Sequence, residues 1–250
     1  MKKTNHIKVS IIVASLNSEK NIDNAILSLQ KQAYDNLEII FVDGGSTDKT
    51  TDLIRKHNLK NSILISEPDR GIGDAWNKGL RICTGNIIGI LNSDDYYDEG
   101  ILVNVVAAFE DVKMPLIGFG DVTLFDSSKN TEKMIMGKMR GKLGLLNGFG
   151  FLHPSVFFNR KALEVNGLFN PRVSVAVDTD WLLRAITKKI TFKKIPSHTY
   201  MLAGGHSHAN IFTGMGEYMD SLVRNGYSKL HIFIFLALRV VGSFIRILKR

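Results

Sequence analysis

Residues Ser66 to Tyr97, SEPDRGIGDAWNKGLRICTGNIIGILNSDDYY, decide the fold. Ala75, Trp76, Gly79 and Leu80 recur at the three-to-four spacing of a core-facing stripe, which predicts an amphipathic helix over Ile72–Arg81. Thr84-Gly85 ends it, because glycine is the usual residue just past a helix C-terminus. Ile87–Leu91 is then a continuous apolar run, the signature of a strand covered on both faces. Such a strand delivers Asn92, Ser93, Asp94 and Asp95 to its C-terminal end, where open α/β sheets place their ligands. Two adjacent carboxylates repel each other, and a hard divalent cation such as Mg²⁺ or Mn²⁺ relieves that repulsion. The same Asp-Asp pair also occurs as a plain solvated turn, so the rest of the chain has to decide.

Outward from this stretch the chain alternates strand and helix. Val9–Leu16 (VSIIVASL) reads as a first buried strand ending at Asn17-Ser18, with a helix over Glu19–Gln32. Leu37–Val42 is a second strand, closed by the polar turn Asp43–Asp48 and followed by a helix to about His57. Ser62–Ser66 is a short third strand. This alternation implies a parallel sheet with right-handed crossovers. Glu99–Phe109 is a further helix, and after Pro115 the pattern changes. Leu116–Phe125, Ser155–Phe158 and Ile190–Ile195 read as strands, the last closed by Pro196. Lys161–Val165 and Trp181–Lys188 read as helices, and Met134–Gly150 as a mobile loop. The expected fold class is α/β: a mostly parallel, Rossmann-like central sheet with helices on both faces. A smaller acceptor-side subregion and a C-terminal amphipathic helix complete it.

Composition narrows the function classes. The chain has 250 residues, 44% hydrophobic and 22% charged, as in ordinary globular proteins, which argues against wholesale disorder. Its net charge of +8 is uneven, since no acidic residue follows Asp220 while Arg224, Lys229, Arg239, Arg246, Lys249 and Arg250 do. No basic-aromatic stripe crosses the body, so an anionic membrane surface is the expected partner and nucleic acid is not. Leu230–Arg250 carries a long apolar stretch broken by Arg239 and Arg246, which fits an amphipathic helix in the headgroup region better than a span. A helix packed on the protein's own core is the alternative. The single cysteine, Cys83, excludes an intrachain disulfide and fits a reducing compartment. Met1–Ser10 lacks the apolar core of a signal peptide, so the expected location is cytoplasmic, peripheral on the inner face of the cell membrane. Gly71-Ile72-Gly73 lacks the third glycine of a dinucleotide fingerprint, where Trp76 stands.

Four stretches, Ser10–Asn17, Val42–Thr50, Glu67–Asp95 and His153–Arg184, come in an order and spacing that resemble the family 2 glycosyltransferases. These are inverting nucleotide-sugar enzymes of the GT-A fold, and the likeness runs from about Val9 to Gly205. Bacterial enzymes of O-antigen, capsule and exopolysaccharide synthesis are the most similar in pattern. The resemblance implies a glycosyltransferase domain over 1–205, its nucleotide-sugar half in 1–115 and its acceptor half in 116–205, followed by a basic tail over 206–250. By position, Asp43 matches the aspartate that hydrogen-bonds the nucleotide base, usually uracil, and Ala14 and Ser15 the strand end against that base. Asn17, Arg70, Asp74, Asn77, Lys78, Asn92 and Ser93 fall in the donor-binding stretches, and Asp69 also matches a family position. Arg70 and Lys78 are the candidate cations for a diphosphate.

Asp94 matches the last aspartate of the metal-binding DxD motif, with Asp95 beside it and Asn92 at its first position. His206 is a candidate additional metal ligand. Asp178 matches the catalytic base, with Val177 where the family often has Glu and Asp180 as the other choice. His153, Asp180 and Trp181 are the acceptor-side candidates. The implied donor is a nucleoside diphosphate sugar, UDP-linked by preference, with Mn²⁺ or Mg²⁺ as cofactor. The implied acceptor is a lipid-diphosphate-linked sugar or a growing oligosaccharide. Two rivals stand beside this: a sugar-nucleotidyltransferase, and a non-catalytic domain that binds nucleotide or polysaccharide.

Overall fold

A five-residue apolar run has to lie between two layers, and Ile87–Leu91 does. In the computed structural model, which describes residues 7–126, 129–204, 210–230 and 232–233, it forms the middle of a nine-stranded sheet. Strands β1 (Val9–Ser15), β2 (Leu37–Asp43), β3 (Ser62–Ser66) and β4 (Ile87–Asn92) pair in parallel in the order β3-β2-β1-β4. Helices α1 (Ile22–Gln30), α2 (Thr50–His57) and α3 (Ile72–Ile82) make the crossovers. The two-residue period of the strands sorts side chains between two cores. Ile12, Ile40, Ile88 and Ile90 meet Ala75, Trp76 and Leu80 of α3 on one face. Ile11, Ile39 and Leu91 meet α1 and α4 (Ile101–Phe109) on the other. Gly79 permits the close approach of α3, since a Cβ there would stand 2.5 Å from Ile12 Cγ2.

Beyond β4 the sheet becomes mixed. β8 (Val156–Asn159) runs antiparallel to β4, and β6 (Leu116–Asp126) antiparallel to β8. β9 (Thr191–Leu202) is parallel to β6 and carries the short β5 (Tyr96–Tyr97) at its outer edge. β7 (Thr131–Ile135) pairs with the far end of β6. Helices α5 (Arg160–Asn166) and α6 (Val177–Thr187) cover the α3 face.

Three expectations need correction. β9 does not stop at Pro196. The proline falls in a register shift between Phe119↔Lys194 and Asp121↔His198, where its missing N–H costs no regular ladder bond. Met134–Gly150 is not an unanchored loop. It includes the end of β7, Lys138 N donates to Gly150 O at 3.0 Å, and Leu145 and Leu146 are buried. Arg140 Nη1 donates to the carbonyls of Asn147 and Gly148 at 2.7 and 3.1 Å, a mode of anchoring that leaves no hydrophobic period. Finally, α6 begins at Val177 rather than Trp181, which puts Asp178 inside its first turn.

Residues 211–224, grouped by sequence with the basic tail, form helix α7 (Ile211–Arg224) packed on α6. Leu222 and Ile232 bury against Leu146 and Leu183. Residues 234–250, and with them most of the predicted amphipathic tail, lie outside the described residues.

One polar cluster ties the start of this sheet together. Glu38, 6% exposed, takes hydrogen bonds from Lys8 Nζ at 2.7 Å, Ser10 Oγ at 2.5 Å, and Thr84 N and Oγ1 at 2.8 and 2.7 Å. Burial pushes its carboxyl up, but these donors outweigh burial and hold it at about 2 against an ordinary 4.5. A depressed carboxyl stabilises the fold above its unfolded pKa, and that stability is lost as pH falls from 4.5 toward about 2. The shift corresponds to about 3 kcal/mol at neutral pH. Urea titrations at pH 7 and pH 3 are expected to show a large fall in wild type and a much smaller one in Glu38→Gln. Equal falls in the two proteins would remove Glu38 from this role.

Candidate active site

The C-terminal ends of β1, β2 and β4 share one rim, because the register sets Ser15 beside Asp43 and Ala14 beside Asn92. Asp43 organises that rim from inside and is fully enclosed, at 0% exposure. Its carboxylate accepts from Gly45 N at 3.1 Å, Ser46 N at 2.9 Å, Ser46 Oγ at 2.5 Å, Ser66 Oγ at 2.9 Å and Ser15 Oγ at 3.3 Å. Asn17, in the left-handed region at φ 48°, joins the β1 turn to the β2 loop: its Oδ1 accepts from Thr47 N at 2.9 Å. Ser93 and Ser18 hydroxyls meet at 2.7 Å.

At the end of β4 the two acids are short of positive charge. Burial raises the Asp94 carboxyl. Burial, and then the neighbouring Asp94 charge, hold Asp95 well above the ordinary carboxylate range. Asp95 is 1% exposed and, among the described residues, accepts only weak bonds, from Leu202 N and Asn92 Nδ2, both at 3.3 Å. Asn92 Oδ1 is buried without a partner among the described residues. Three hard oxygens, two of them on carboxylates that resist losing their protons, fit Mg²⁺ or Mn²⁺. Among the described residues no three His, Cys, Asp or Glu side chains converge. His206 lies outside the described residues.

Asp178 stands in the first turn of α6, where the helix dipole favours a carboxylate. Its Oδ1 accepts from Thr179 N at 2.7 Å and Thr179 Oγ1 at 3.2 Å. With His153 it lines a small, mainly apolar pocket that includes Ile90, two residues before Asn92 on β4. The His153 ring stacks on Trp76 at 4.5 Å and 10°. Burial pushes its pKa down, partly offset by the Asp178 charge, and its Nδ1 is buried without a partner among the described residues.

Several expected site residues have partners within the fold. Asn77 is 3% exposed and clamps α3 to the 169 backbone, donating to Phe169 O at 3.0 Å and accepting from Phe169 N at 2.9 Å. Lys78 bonds Glu67 at 2.9 Å and Pro68 O at 2.8 Å, and Arg70 reaches back to Asp74 at 3.3 Å, so neither cation is unpartnered. Asp180 turns to α7, accepting from Ser221 Oγ at 2.7 Å and Arg224 Nη2 at 2.8 Å. Trp181 is core, packed on Phe158 and Phe169 with its indole N–H on Gly167 O at 2.8 Å, although its ring also borders the Asp178 pocket.

Glu217 on α7 escaped the sequence reading. Its carboxylate accepts from the N–H groups of Ser174, Val175 and Ala176 at 2.8, 2.8 and 2.9 Å, and from Ser174 Oγ at 2.8 Å. It thereby fixes the turn that leads into Asp178. Burial would raise this carboxyl, but the three backbone donors and the hydroxyl hold it below the ordinary value. The one available signal was scarcity: Glu217 and Asp220 are the only acids downstream of Asp180.

The chain and its fold are similar to known proteins. A PGL/p-HBAD biosynthesis glycosyltransferase of Mycobacterium bovis is 29% identical over 182 residues, covering 71% of this chain and 69% of that one. The fold matches S. aureus TarS 1–349 in complex with UDP-GlcNAc at TM-score 0.68 and 20% identity, over 90% of this chain and 69% of TarS. It also matches the Pyrobaculum calidifontis mannosyltransferase PcManGT in complex with GDP-Man and Mn²⁺ at TM-score 0.66 and 20% identity, over 90% of this chain and 66% of that one. The model for "Glycosyl transferase family 2" matches residues 10–167, and the chain belongs to that family of glycosyltransferases.

Proposed function

We propose that this glycosyltransferase moves a sugar, with inversion, from a nucleoside diphosphate sugar to an acceptor hydroxyl, with Asp178 as general base. The observation that carries this is the charge-starved pair Asp94–Asp95 at the end of β4, beside the unpartnered Asn92 Oδ1. Structural neighbours in complex with UDP-GlcNAc, or with GDP-Man and Mn²⁺, support a sugar-nucleotide donor and a divalent metal. A divalent cation held by Asp94 and Asp95 would neutralise charge growing on the leaving diphosphate. Asp178 takes the proton from the acceptor oxygen as that oxygen attacks the anomeric carbon. His153, kept neutral by burial, lines the same pocket and adds no competing positive charge. Glu217 holds the turn before Asp178 so that the carboxylate meets the acceptor in a fixed place.

Thermal shift with UDP, GDP, CDP and ADP, each with Mn²⁺ or EDTA, tests the donor class. A rise in melting temperature that needs both the nucleoside diphosphate and Mn²⁺ is expected, since a ligand binding only the folded state stabilises it. No shift with any nucleotide would contradict it. Production of diphosphate from a nucleoside triphosphate and sugar phosphate would favour the sugar-nucleotidyltransferase instead. Binding without any donor turnover would favour the non-catalytic domain.

The acceptor is a lipid-linked or growing polysaccharide, reached by peripheral contact with the inner face of the cell membrane. No helix among the described residues is long and apolar enough to cross a membrane. Phe212, Leu230 and Phe233 are exposed at 87%, 64% and 70%, and the basic stretch to Arg250 follows them. Flotation with anionic liposomes is expected for the full chain and not for one ending at Phe233. Equal flotation would discard the membrane contact by residues 234–250.

A further inference from the structure

We propose that the turn 138–143 and the segment 227–233 form one surface that docks on an anionic phospholipid bilayer; this rests on the membrane contact proposed above and adds a surface of the folded domain to it. Two stretches of the chain carry no acid. None lies between Glu132 and Glu164, where Lys133, Lys138, Arg140 and Lys142 come close together, and none follows Asp220. Far apart in sequence, the two stretches are set side by side by the fold. Lys142 Nζ stands over the Tyr227 ring, 5.5 Å from its centroid. The Tyr218 hydroxyl donates to Leu145 O, and Leu146 packs with Leu222 and Ile232.

The turn is anchored from inside and bare outside. Arg140 holds the carbonyls of Asn147 and Gly148, and Leu145 and Leu146 are buried. Between these anchors Leu143 is 74% exposed, beside the exposed Lys142. Neither Lys138 nor Lys142 has a carboxylate partner among the described residues. On the adjoining segment Leu230 and Phe233 are equally bare, and Lys229 precedes them. Apolar side chains among unpaired lysines suit a lipid headgroup layer: the apolar groups reach the acyl boundary while the ammonium groups stay with the phosphates. A polyanion in water would use the lysines and gain little from Leu143.

The surface adjoins the helix that carries the proposed base. Leu183 of α6 is buried with Leu146 and Leu222, about 8 Å along the helix from Asp178. An acceptor anchored in that bilayer would present its sugar near α6. Stable attachment to a membrane takes two signals, and this surface together with the basic stretch 234–250 supplies two.

The test is flotation of the full chain with vesicles of phosphatidylglycerol and phosphatidylcholine, and with vesicles of phosphatidylcholine alone, across a series of lipid concentrations. Wild type is expected to prefer the mixed vesicles. The double variant Lys138→Gln, Lys142→Gln should bind them about 30-fold more weakly, at about fivefold for each lysine near an anionic surface. Leu143→Ser should lose about tenfold, the effect of an apolar side chain no longer withdrawn from water. Lys56→Gln, Lys60→Gln removes the same charge from exposed lysines at the β3 edge of the sheet, and should stay within about twofold of wild type because distant charges are screened. Melting temperatures near wild type show that the variants fold. Equal losses in the two lysine pairs, or no loss in either, would overturn the surface. A loss with the Lys138–Lys142 pair but none with Leu143→Ser would also overturn it, in favour of a soluble polyanion. Wild type that floats with neither vesicle would overturn the membrane contact as a whole, a different failure.

Discussion

Asp178→Ala is expected to lose about 10²–10⁴-fold in turnover while UDP binding in the presence of Mn²⁺ stays within twofold of wild type, the usual cost of removing a general base. The carboxylate stands at the entrance of α6, fixed by Thr179 and by the Glu217-bound turn before it, and its hydrogen bonds among the described residues are to Thr179 and not to the rim around Asp43. Removing it should therefore spare the donor. Asp180→Ala is the matched control. That carboxylate serves α7 through Ser221 and Arg224, so its loss should lower the melting temperature and leave turnover of the folded enzyme near normal. Single-turnover assays on the two variants separate the roles. If Asp180→Ala abolished transfer and Asp178→Ala retained it, the assignment of the base would reverse.

The second large effect belongs to Asp94. Asp94→Ala should weaken donor binding and slow transfer together, by about 10²–10³-fold in kcat, comparable to deleting a main electrostatic partner of a developing charge. The response to Mn²⁺ should vanish with it. Asp95 separates stability from function at the same place. Its folded-state pKa is raised, so its ionisation destabilises the fold once pH rises above the unfolded value of 3.8. In EDTA at pH 7, Asp95→Asn is therefore expected to be more stable than wild type while transferring sugar poorly. That gain should disappear below pH 4, where the wild-type carboxyl is protonated in both states. A variant less stable than wild type in EDTA would show that the pair carries no stored repulsion.

Much of this was legible from the chain. The first four strands announced themselves because each short apolar run is punctuated by polar turn residues, and Asp43, Asp94 and Asp178 all sit where a run ends or a helix begins. The mixed half of the sheet was harder. Pro196 looks like a stop, and only the three-dimensional register shows that it falls at a shift where no ladder bond is due. Side-chain partners were the least readable. Asn77, Lys78 and Arg70 have the right chemistry for a sugar nucleotide, yet Phe169, Glu67, Pro68 and Asp74 engage them first. Those partners lie between 4 and 92 residues away, and nothing local marks most of them. Glu217 reaches the turn before Asp178 from about 40 residues downstream, a distance at which spacing carries no information. Gly44 is the reverse case: the missing side chain is visible in sequence, but the Asp69 carboxylate, whose Oδ2 would stand 2.4 Å from a Cβ there, is visible only in the fold.

The most direct measurement is a crystal structure of the Asp178→Asn protein with a UDP-sugar and Mn²⁺. The cation should be coordinated by Asp94 and the diphosphate, and residue 178 should face the anomeric carbon from the side opposite the diphosphate. A cation bound away from Asp94, or a residue 178 separated from the anomeric carbon by the body of the protein, would contradict a single inverting transfer site at this end of the sheet.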